Sequence, residues 1–132
     1  GGVMVLFFGA LYGFISVAFG AFAEHGLKET VSEADFNSIA IAITYNQINS
    51  VIISAIGLGQ ITSGQFMKTP LLKWSAILFI LGTAMFSFTI YLSVIFESPN
   101  IRGVTPLGGM IIMTAWLLVA YAGLAATKTS QE

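Results

Sequence analysis

The sequence contains little charge and no cysteine. Asp, Glu, Lys and Arg make up 8% of its 132 residues, whereas a typical soluble domain has about 25% charged residues. Without cysteine the chain has no disulfide framework, no thiolate nucleophile and no cysteine metal site. The five scattered Lys and Arg residues and a net charge of -1 provide no basic stripe that could neutralise a run of phosphates, so nothing in the sequence supports nucleic-acid binding. The composition indicates a protein whose main solvent is lipid.

Four long segments lack charged residues altogether, and each is long enough to cross a membrane. A helix needs about 20 largely apolar residues to span a hydrocarbon core of about 30 Å, and a spanning helix satisfies its own backbone hydrogen bonds. The charge-free segments cover residues 1–23, 36–67, 74–96 and 103–127, and all twelve Asp, Glu, Lys, Arg and His residues lie outside them. The sequence therefore predicts an all-α membrane protein, a four-transmembrane-helix bundle with short loops. We expect one transmembrane domain over residues 1–132, with spans at approximately 3–23, 36–61, 71–96 and 106–127.

Residues typical of helix ends lie at the boundaries of these segments. Thr69-Pro70 and Thr105-Pro106 each place a hydroxyl directly before a proline, and proline is tolerated in the first turn of a helix. Ser32 followed three positions later by Asp35 has the pattern of a capping box at the start of the second helix. Gly26 predicts the end of the first helix, since glycine is common just after the last helical turn.

The first segment carries small residues at helical spacing. Gly9, Gly13, Ser16 and Gly20 follow one another at intervals of four, three and four positions, which places them on one face of a helix. In lipid, helices associate by close packing at small residues, because apolar side chains gain little by leaving an apolar solvent. We interpret these four residues as a helix-packing face and prefer this interpretation to a ligand-binding role.

Polar residues within the second and third spans are the candidates for a functional role. Gln47, Ser50 and Ser54 lie on one face of the second span, and the third span has hydroxyls at successive spacings of four that could face it. The candidate polar set comprises Tyr45, Asn46, Gln47, Asn49, Ser50, Ser54, Thr83, Ser87 and Tyr91. Two interpretations stay open: hydrogen bonds between helices that fix their register, or a polar cavity for a small solute or ion. Apart from Lys73, at the estimated start of the third span, the spans contain no Asp, Glu, Lys, Arg or His, so the usual marks of a charged pathway are absent.

The only histidine, His25, lies between Glu24 and Gly26 at the end of the first span. In this interfacial motif a histidine can act as a pH sensor or metal ligand, or simply interact with the negative end of the helix dipole. One histidine with loop carboxylates falls short of the three or four ligands that metal sites need, so we expect no metal and no cofactor. Nucleophilic catalysis by Ser or Thr would need a base, and only His25 and the loop carboxylates and lysines are available. We therefore expect that the protein is not an enzyme.

Four motifs occur in an order that resembles a known family. They are the GAFAEHGL sequence of residues 20–27, Phe86-Ser87 followed by Ile90-Tyr91, the TPLGG sequence of residues 105–109, and the WLL sequence of residues 116–118. Together they resemble the small bacterial membrane proteins of the domain of unknown function 423 family, which includes the YgdD-like proteins and is similar to the transmembrane protein 256 group. The resemblance covers nearly the whole chain. It implies a four-span inner-membrane protein with a His-Gly element just after the first helix, and it implies no established activity.

The chain departs from the pattern of that family at two positions. The family carries a histidine shortly after the position of Tyr45, where this chain has Asn49, and a small residue where this chain has Phe88. A histidine pair across the first two helices, used for metal or protons, would be incomplete here. This departure favours a structural role for the segment.

Two hypotheses about function follow from the sequence. The first is a non-catalytic accessory or interaction subunit of a larger membrane complex in the bacterial inner (plasma) membrane. Its partners would be the lipid bilayer and other membrane proteins or further copies of itself. The second is a small solute or ion transporter or channel that uses the polar stripe between helices two and three. A pathway requires polar groups that face a continuous wet cavity, whereas a structural role requires polar groups that are paired with each other.

Overall fold

Four helices of the described chain are long and apolar enough to cross a membrane. The computed structural model describes residues 1–62 and 64–130, the last four of them for the backbone alone. The four spans are Gly2–Leu27, Glu33–Thr62, Pro70–Ile95 and Pro99–Ala126. Successive spans run in opposite directions because short loops join them. The prediction of an all-α, four-span bundle is confirmed.

The spans combine α-helices with short segments of other helix types. The α-helices in the described residues are α1 (Gly2–Phe22), α2 (Glu33–Thr62), α3 (Pro70–Thr83), α4 (Thr89–Ile95) and α5 (Thr105–Ser130). A π-helical turn, Ala23–Leu27, extends α1, and a π-helical segment, Ala84–Phe88, joins α3 to α4 within the third span. The 3-10 turns Gln65–Lys68 and Pro99–Gly103 precede α3 and α5.

The residues at the helix ends behave in three different ways. The backbone N–H of Asp35 donates to Ser32 Oγ at 3.0 Å, which confirms the predicted cap of α2. Thr69 is the residue before α3, but its hydroxyl donates to the backbone oxygen of Phe66 rather than capping the helix. The prediction that Gly26 ends the first helix is wrong. The chain continues through Gly26 as a π turn, and no glycine in the described residues has the positive φ that such a stop requires.

The third span lies between α2 and α5. α1 packs along α2, α2 packs against the whole third span, and α5 packs against α3 and the π-helical segment. The second and third spans are the more buried pair, and α1 and α5 leave most of their surface open to the surrounding lipid. The centre of the bundle is therefore the contact between α2 and the third span.

Glycines allow the outer helices to approach the central ones closely. A Cβ atom added at Gly57 of α2 would lie 2.5 Å from the backbone nitrogen of Leu6 in α1. A Cβ atom added at Gly108 of α5 would meet the backbone of Met85 and Phe86 in the π-helical segment. Both contacts exist because the glycine has no side chain.

Two apolar clusters fill the bundle, one toward each end. The cluster at the end where α1 begins centres on Phe79, which is fully buried and packs its ring edge-on against Trp116 at 4.9 Å. The other cluster contains Ala42, Ile90 and neighbouring residues near the end where α2 begins. Polar side chains occupy the level of the bundle where the two clusters meet.

Candidate functional site

Five buried polar side chains of α2 and the third span meet at the centre of the bundle. Asn46, Asn49, Thr83 and Ser87 are each 0% exposed, and Tyr91 is 4% exposed. α2 contributes the two amides, and the third span contributes the three hydroxyls. We call these five residues the polar cluster. All five belong to the candidate polar set predicted from the sequence.

Two side-chain hydrogen bonds join α2 to the third span. Asn46 Nδ2 donates to the hydroxyl oxygen of Tyr91 at 2.9 Å, and Asn49 Nδ2 donates to Thr83 Oγ1 at 3.0 Å. Both distances are ordinary for an N–H···O bond. The two pairs lie three residues apart on α2 and eight residues apart on the third span. Two separate bonds of this kind fix both the rotation and the axial position of one helix against the other.

The π-helical segment brings a third hydroxyl to the same contact. Ser87 Oγ donates to the backbone oxygen of Ala42 at 2.7 Å. In a regular α-helix, residues four positions apart differ by about 40° around the axis, so Thr83 and Tyr91 would differ by about 80°. A π-helical segment places more residues in each turn and reduces this drift. Thr83, Ser87 and Tyr91 can therefore all face α2.

Both amides of the polar cluster keep one atom without a hydrogen bond. Among the described residues, Oδ1 of Asn46 and Oδ1 of Asn49 are buried and have no donor. Exchanging the oxygen and nitrogen of either amide does not solve this, because the hydroxyl partner reaches only one of the two atoms. An unsatisfied buried polar atom costs about 1–3 kcal/mol. The cluster is therefore paired but not fully satisfied.

Two residues of the candidate polar set are exposed and lie outside the polar cluster. Tyr45 is 44% exposed, and Gln47 is also exposed. The stripe of hydroxyls on the third span meets the face of α2 that carries Asn46 and Asn49, not the face predicted from Gln47. This is the face that also carries the most deeply buried apolar residues of α2, so burial of apolar surface determines the rotation of the helix.

The helix-packing face predicted on α1 lies against α2, within the bundle. A Cβ atom added at Gly9 would lie 2.6 Å from the backbone nitrogen of Ser54, and one added at Gly13 would lie 3.5 Å from Ser50 Oγ. Ser50 and Ser54 of the candidate polar set therefore contact α1. The Ser50 hydroxyl donates to the backbone oxygen of Gln47 at 2.7 Å and so has a partner within its own helix.

The contact between this face of α1 and α2 is looser toward the C-terminal end of α1. Ser16 is buried, and its hydroxyl donates to the backbone oxygen of Gly13 at 2.7 Å. At Gly20 an added Cβ atom would lie 4.0 Å from the nearest atom, in the side chain of Ile43. Close backbone contact is thus restricted to the Gly9 half of the face.

The interfacial motif lies on the surface, in the π turn that follows α1. Glu24, His25 and Gly26 are all exposed. The carboxylate of Glu24 accepts a hydrogen bond from Lys28 Nζ at 2.9 Å, with both side chains more than half exposed. Within residues 1–62 and 64–130 no three His, Cys, Asp or Glu residues come together as a possible metal site.

Two residues, Tyr12 and Arg102, make long-range polar contacts whose partners have no signature in the sequence. The hydroxyl of Tyr12 donates to the backbone oxygen of Ile80 at 2.9 Å, which joins α1 to the third span. Arg102, at the start of the fourth span, donates through Nε to Ser93 Oγ at 2.7 Å and through Nη2 to Asp35 Oδ1 at 3.0 Å. Long-range partners of this kind follow from tertiary packing. The one sequence signal for Arg102 is that a charge lies directly beside a span.

Comparison with known proteins gives one family. The family model described as "Protein of unknown function (DUF423)" matches residues 19–109. A UPF0382 membrane protein of Haemophilus influenzae is 30% identical over 113 residues, covering 85% of this chain and 86% of the relative. The UPF0382 inner membrane protein YgdD of Escherichia coli K12 is 30% identical over 115 residues, covering 87% and 85%. A UPF0382 membrane protein of Schizosaccharomyces pombe is 32% identical over 113 residues, covering 81% and 90%.

These matches bear on two predictions made from the sequence. No solved structure matches the chain, so the family is assigned from sequence similarity. The inner-membrane location is confirmed by the names of the relatives and by the four spans. The resemblance noted in the four sequence motifs is also confirmed. The chain belongs to the DUF423 family of membrane proteins, whose function is unknown.

Proposed function

We propose that the protein is a non-catalytic accessory subunit that binds another membrane protein within the bilayer. The observation that supports this is the pairing inside the polar cluster. Asn46 bonds to Tyr91, Asn49 bonds to Thr83, and the Ser87 hydroxyl bonds to a backbone oxygen. Polar side chains that bond to each other across a helix contact stabilise that contact. The side chains of the polar cluster do not form a row of groups that lines an open channel.

A groove between α2 and α5 is the surface on which we expect a partner to bind. It has a volume of about 450 Å³, its floor is Phe86, and its rims include Tyr45, Met110, Met113 and Trp116. These four rim residues are between 41% and 61% exposed. Aromatic residues and methionine are enriched at protein interfaces, and methionine adapts its shape to a neighbouring surface. An apolar helix of a second membrane protein fits this chemistry.

Crosslinking in the native membrane tests this proposal. A photoreactive amino acid placed at Met113 should form a covalent product with one defined larger protein, identified by gentle extraction, native-gel separation and mass spectrometry. The matched control is Val17, which is 65% exposed on α1 and lies away from the groove. Crosslinking at Met113 but not at Val17 supports the proposal. Migration of the chain alone, with no product at Met113, would contradict it.

The small-residue face of α1 is not suited to this test. Gly13 faces Ser50 of the same chain, so a bulky residue there would disturb the bundle before it affected any partner. Met113→Trp is a better variant, since the side chain is 61% exposed and projects into the groove. We expect this substitution to weaken binding of the partner while the melting temperature stays unchanged.

A second candidate function, transport of a small solute or ion, is favoured by one observation. The unsatisfied Oδ1 atoms of Asn46 and Asn49 are buried at the centre of the bundle, and amide oxygens can replace part of the hydration shell of an ion. On this hypothesis Asn49→Ala should reduce the flux of sodium, potassium or protons into proteoliposomes. Gln47→Ala, which changes an exposed polar residue of the same helix, should leave the flux unchanged. Equal flux in both variants would count against transport.

A further inference from the structure

The two ends of the bundle differ in charge. The carboxylates of the described residues all lie at the end where α2 and α5 begin: Glu24, Glu29, Glu33, Asp35 and Glu97. At the opposite end, where α1 and α3 begin, the charged side chains described are those of Lys68 and Lys73. We call this the lysine end. No described carboxylate is close enough in the fold to neutralise these two ammonium groups.

A cleft with a volume of about 500 Å³ lies at the lysine end, between α1 and α3. Lys68, Lys73 and Gln60 line its polar part. Its apolar walls are formed by Met4, Val5, Phe8, Ile77 and Ile80. The cleft therefore has a cationic part at the membrane surface and an apolar part that follows the spans into the hydrocarbon region.

The position of the lysines strengthens the positive potential of the cleft. Lys73 lies in the first turn of α3, and Lys68 lies in the last turn of the short 3-10 helix that precedes it. The N-terminus of a helix carries a partial positive charge, so a lysine in the first turn adds to this charge instead of compensating it. An anion placed at this point would interact favourably with both ammonium groups and with the start of α3.

Gln60 supplies a second, independent indication of a ligand. Its side chain is half-buried in the wall of the cleft, and its Oε1 atom is buried without a hydrogen-bond donor among the described residues. Buried polar atoms usually have a partner. If the Gln60 side chain rotates toward the cleft, a ligand that carries hydroxyl groups next to its anionic group supplies this donor.

We propose that the cleft binds one anionic phospholipid whose headgroup carries hydroxyl groups, of which phosphatidylglycerol is the simplest example. Its phosphate lies between the ammonium groups of Lys68 and Lys73, and a headgroup hydroxyl donates to Gln60 Oε1. The upper part of an acyl chain packs against Phe8 and Ile77. Basic pockets between transmembrane helices are known to hold anionic lipid headgroups, and an apolar wall directly beside the lysines distinguishes a seated lipid from a diffuse surface attraction.

Native mass spectrometry of the reconstituted protein tests this site. The protein is placed in nanodiscs that contain equal amounts of phosphatidylglycerol and phosphatidylcholine, released, and analysed for the lipid it retains. Each lysine near an anionic lipid contributes a factor of about five in affinity. We expect Lys68→Gln combined with Lys73→Gln to lower the ratio of retained phosphatidylglycerol to phosphatidylcholine by roughly 30-fold. Both side chains are exposed, so the fold should tolerate the change.

Three further variants distinguish a lipid seated in the cleft from a diffuse attraction of lipid to the charged surface. Lys28→Gln removes an exposed lysine at the opposite end and should leave the lipid ratio unchanged. Ile77→Trp fills the apolar part of the cleft, keeps both lysines, and should still abolish selective retention. Gln60→Leu should reduce retention of phosphatidylglycerol but not of phosphatidylethanol, an anionic phosphodiester whose headgroup has no hydroxyl. Selective retention that survives Ile77→Trp, or that falls equally with Lys28→Gln, would overturn the proposal, and equal loss of both lipids with Gln60→Leu would overturn the role of Gln60.

Discussion

The buried pair of Asn46 and Tyr91 allows a sharp test of how polar groups stabilise this bundle. The perturbation is a pair of substitutions that keep shape and remove polarity, Tyr91→Phe and Asn46→Leu. Tyr91→Phe deletes one oxygen atom and keeps the ring, which stacks on Phe19 with centroids 3.9 Å apart and an angle of 12°. The substitution therefore removes the hydrogen bond from Asn46 Nδ2 without opening a large cavity.

The expected magnitudes follow from the burial of the two side chains. Asn46 is 0% exposed and its Oδ1 atom already lacks a donor, so Tyr91→Phe leaves the whole amide without a partner. We expect a loss of about 1–3 kcal/mol in the free energy of unfolding. The double variant has no polar side-chain atom at these two positions. It should therefore be more stable than Tyr91→Phe alone, with a coupling energy of about 0.6–1.7 kcal/mol between the two positions.

The assay is reversible unfolding in mixed micelles by added SDS, followed by far-UV circular dichroism. Tyr45→Phe is the matched control, because it makes the same chemical change on the same helix as Asn46, at a side chain that is 44% exposed. We expect it to change the free energy of unfolding by less than about 0.5 kcal/mol. Two results would refute the reasoning: losses for Tyr91→Phe and Tyr45→Phe that are equal, or a double variant whose loss is the sum of the two single losses.

Three other predictions use the same assay. Gly108→Ala should destabilise the protein by about 1–3 kcal/mol, because the new Cβ atom meets the backbone of the π-helical segment, whereas Gly20→Ala, with its nearest neighbour at 4.0 Å, should be close to neutral. Ser87→Ala removes the bond to α2 and should cost about 0.6–1.7 kcal/mol; a neutral result would show that this bond does not stabilise the contact. Arg102→Leu should cost about 1 kcal/mol and lose its effect at high salt, since its pair with Asp35 is partly exposed; an effect independent of salt would point to packing instead.

The architecture could be predicted because lipid imposes simple rules on a sequence. A charge-free run of about 20 residues has few alternatives to a spanning helix, and the predicted number of spans, four, equals the number of described helices that are long and apolar enough to cross a membrane. The capping pattern of Ser32 and Asp35 is also a local signal that acts within one turn. The end of the first helix was harder to predict. Gly26 permits a stop but does not require one, and the chain continues through it as a π turn.

The candidate site could be predicted only in part because the rotation of a buried helix is a tertiary property. Polar residues occur all around the middle of α2, so no single polar stripe defines which face meets the third span. The apolar residues that share a face with Asn46 and Asn49 determine this rotation, and they turn Gln47 toward the lipid. The π-helical segment adds a second difficulty. It changes the register between Thr83 and Tyr91, and sequence spacing alone assumes a regular α-helix.

The contribution of the polar cluster to the free energy of unfolding can distinguish the two proposed functions. A buried polar pair is often no more stabilising than an apolar pair of the same shape. If the variant with Asn46→Leu and Tyr91→Phe is as stable as the original protein, the pair is not needed to hold α2 against the third span. The two amides of the polar cluster, Asn46 and Asn49, each with an unsatisfied oxygen, would then require a function at the site itself, which favours transport. If the double variant is clearly less stable, the hydrogen bonds explain the polar residues by themselves, and the function must be sought on the outer surface, at the groove beside α5.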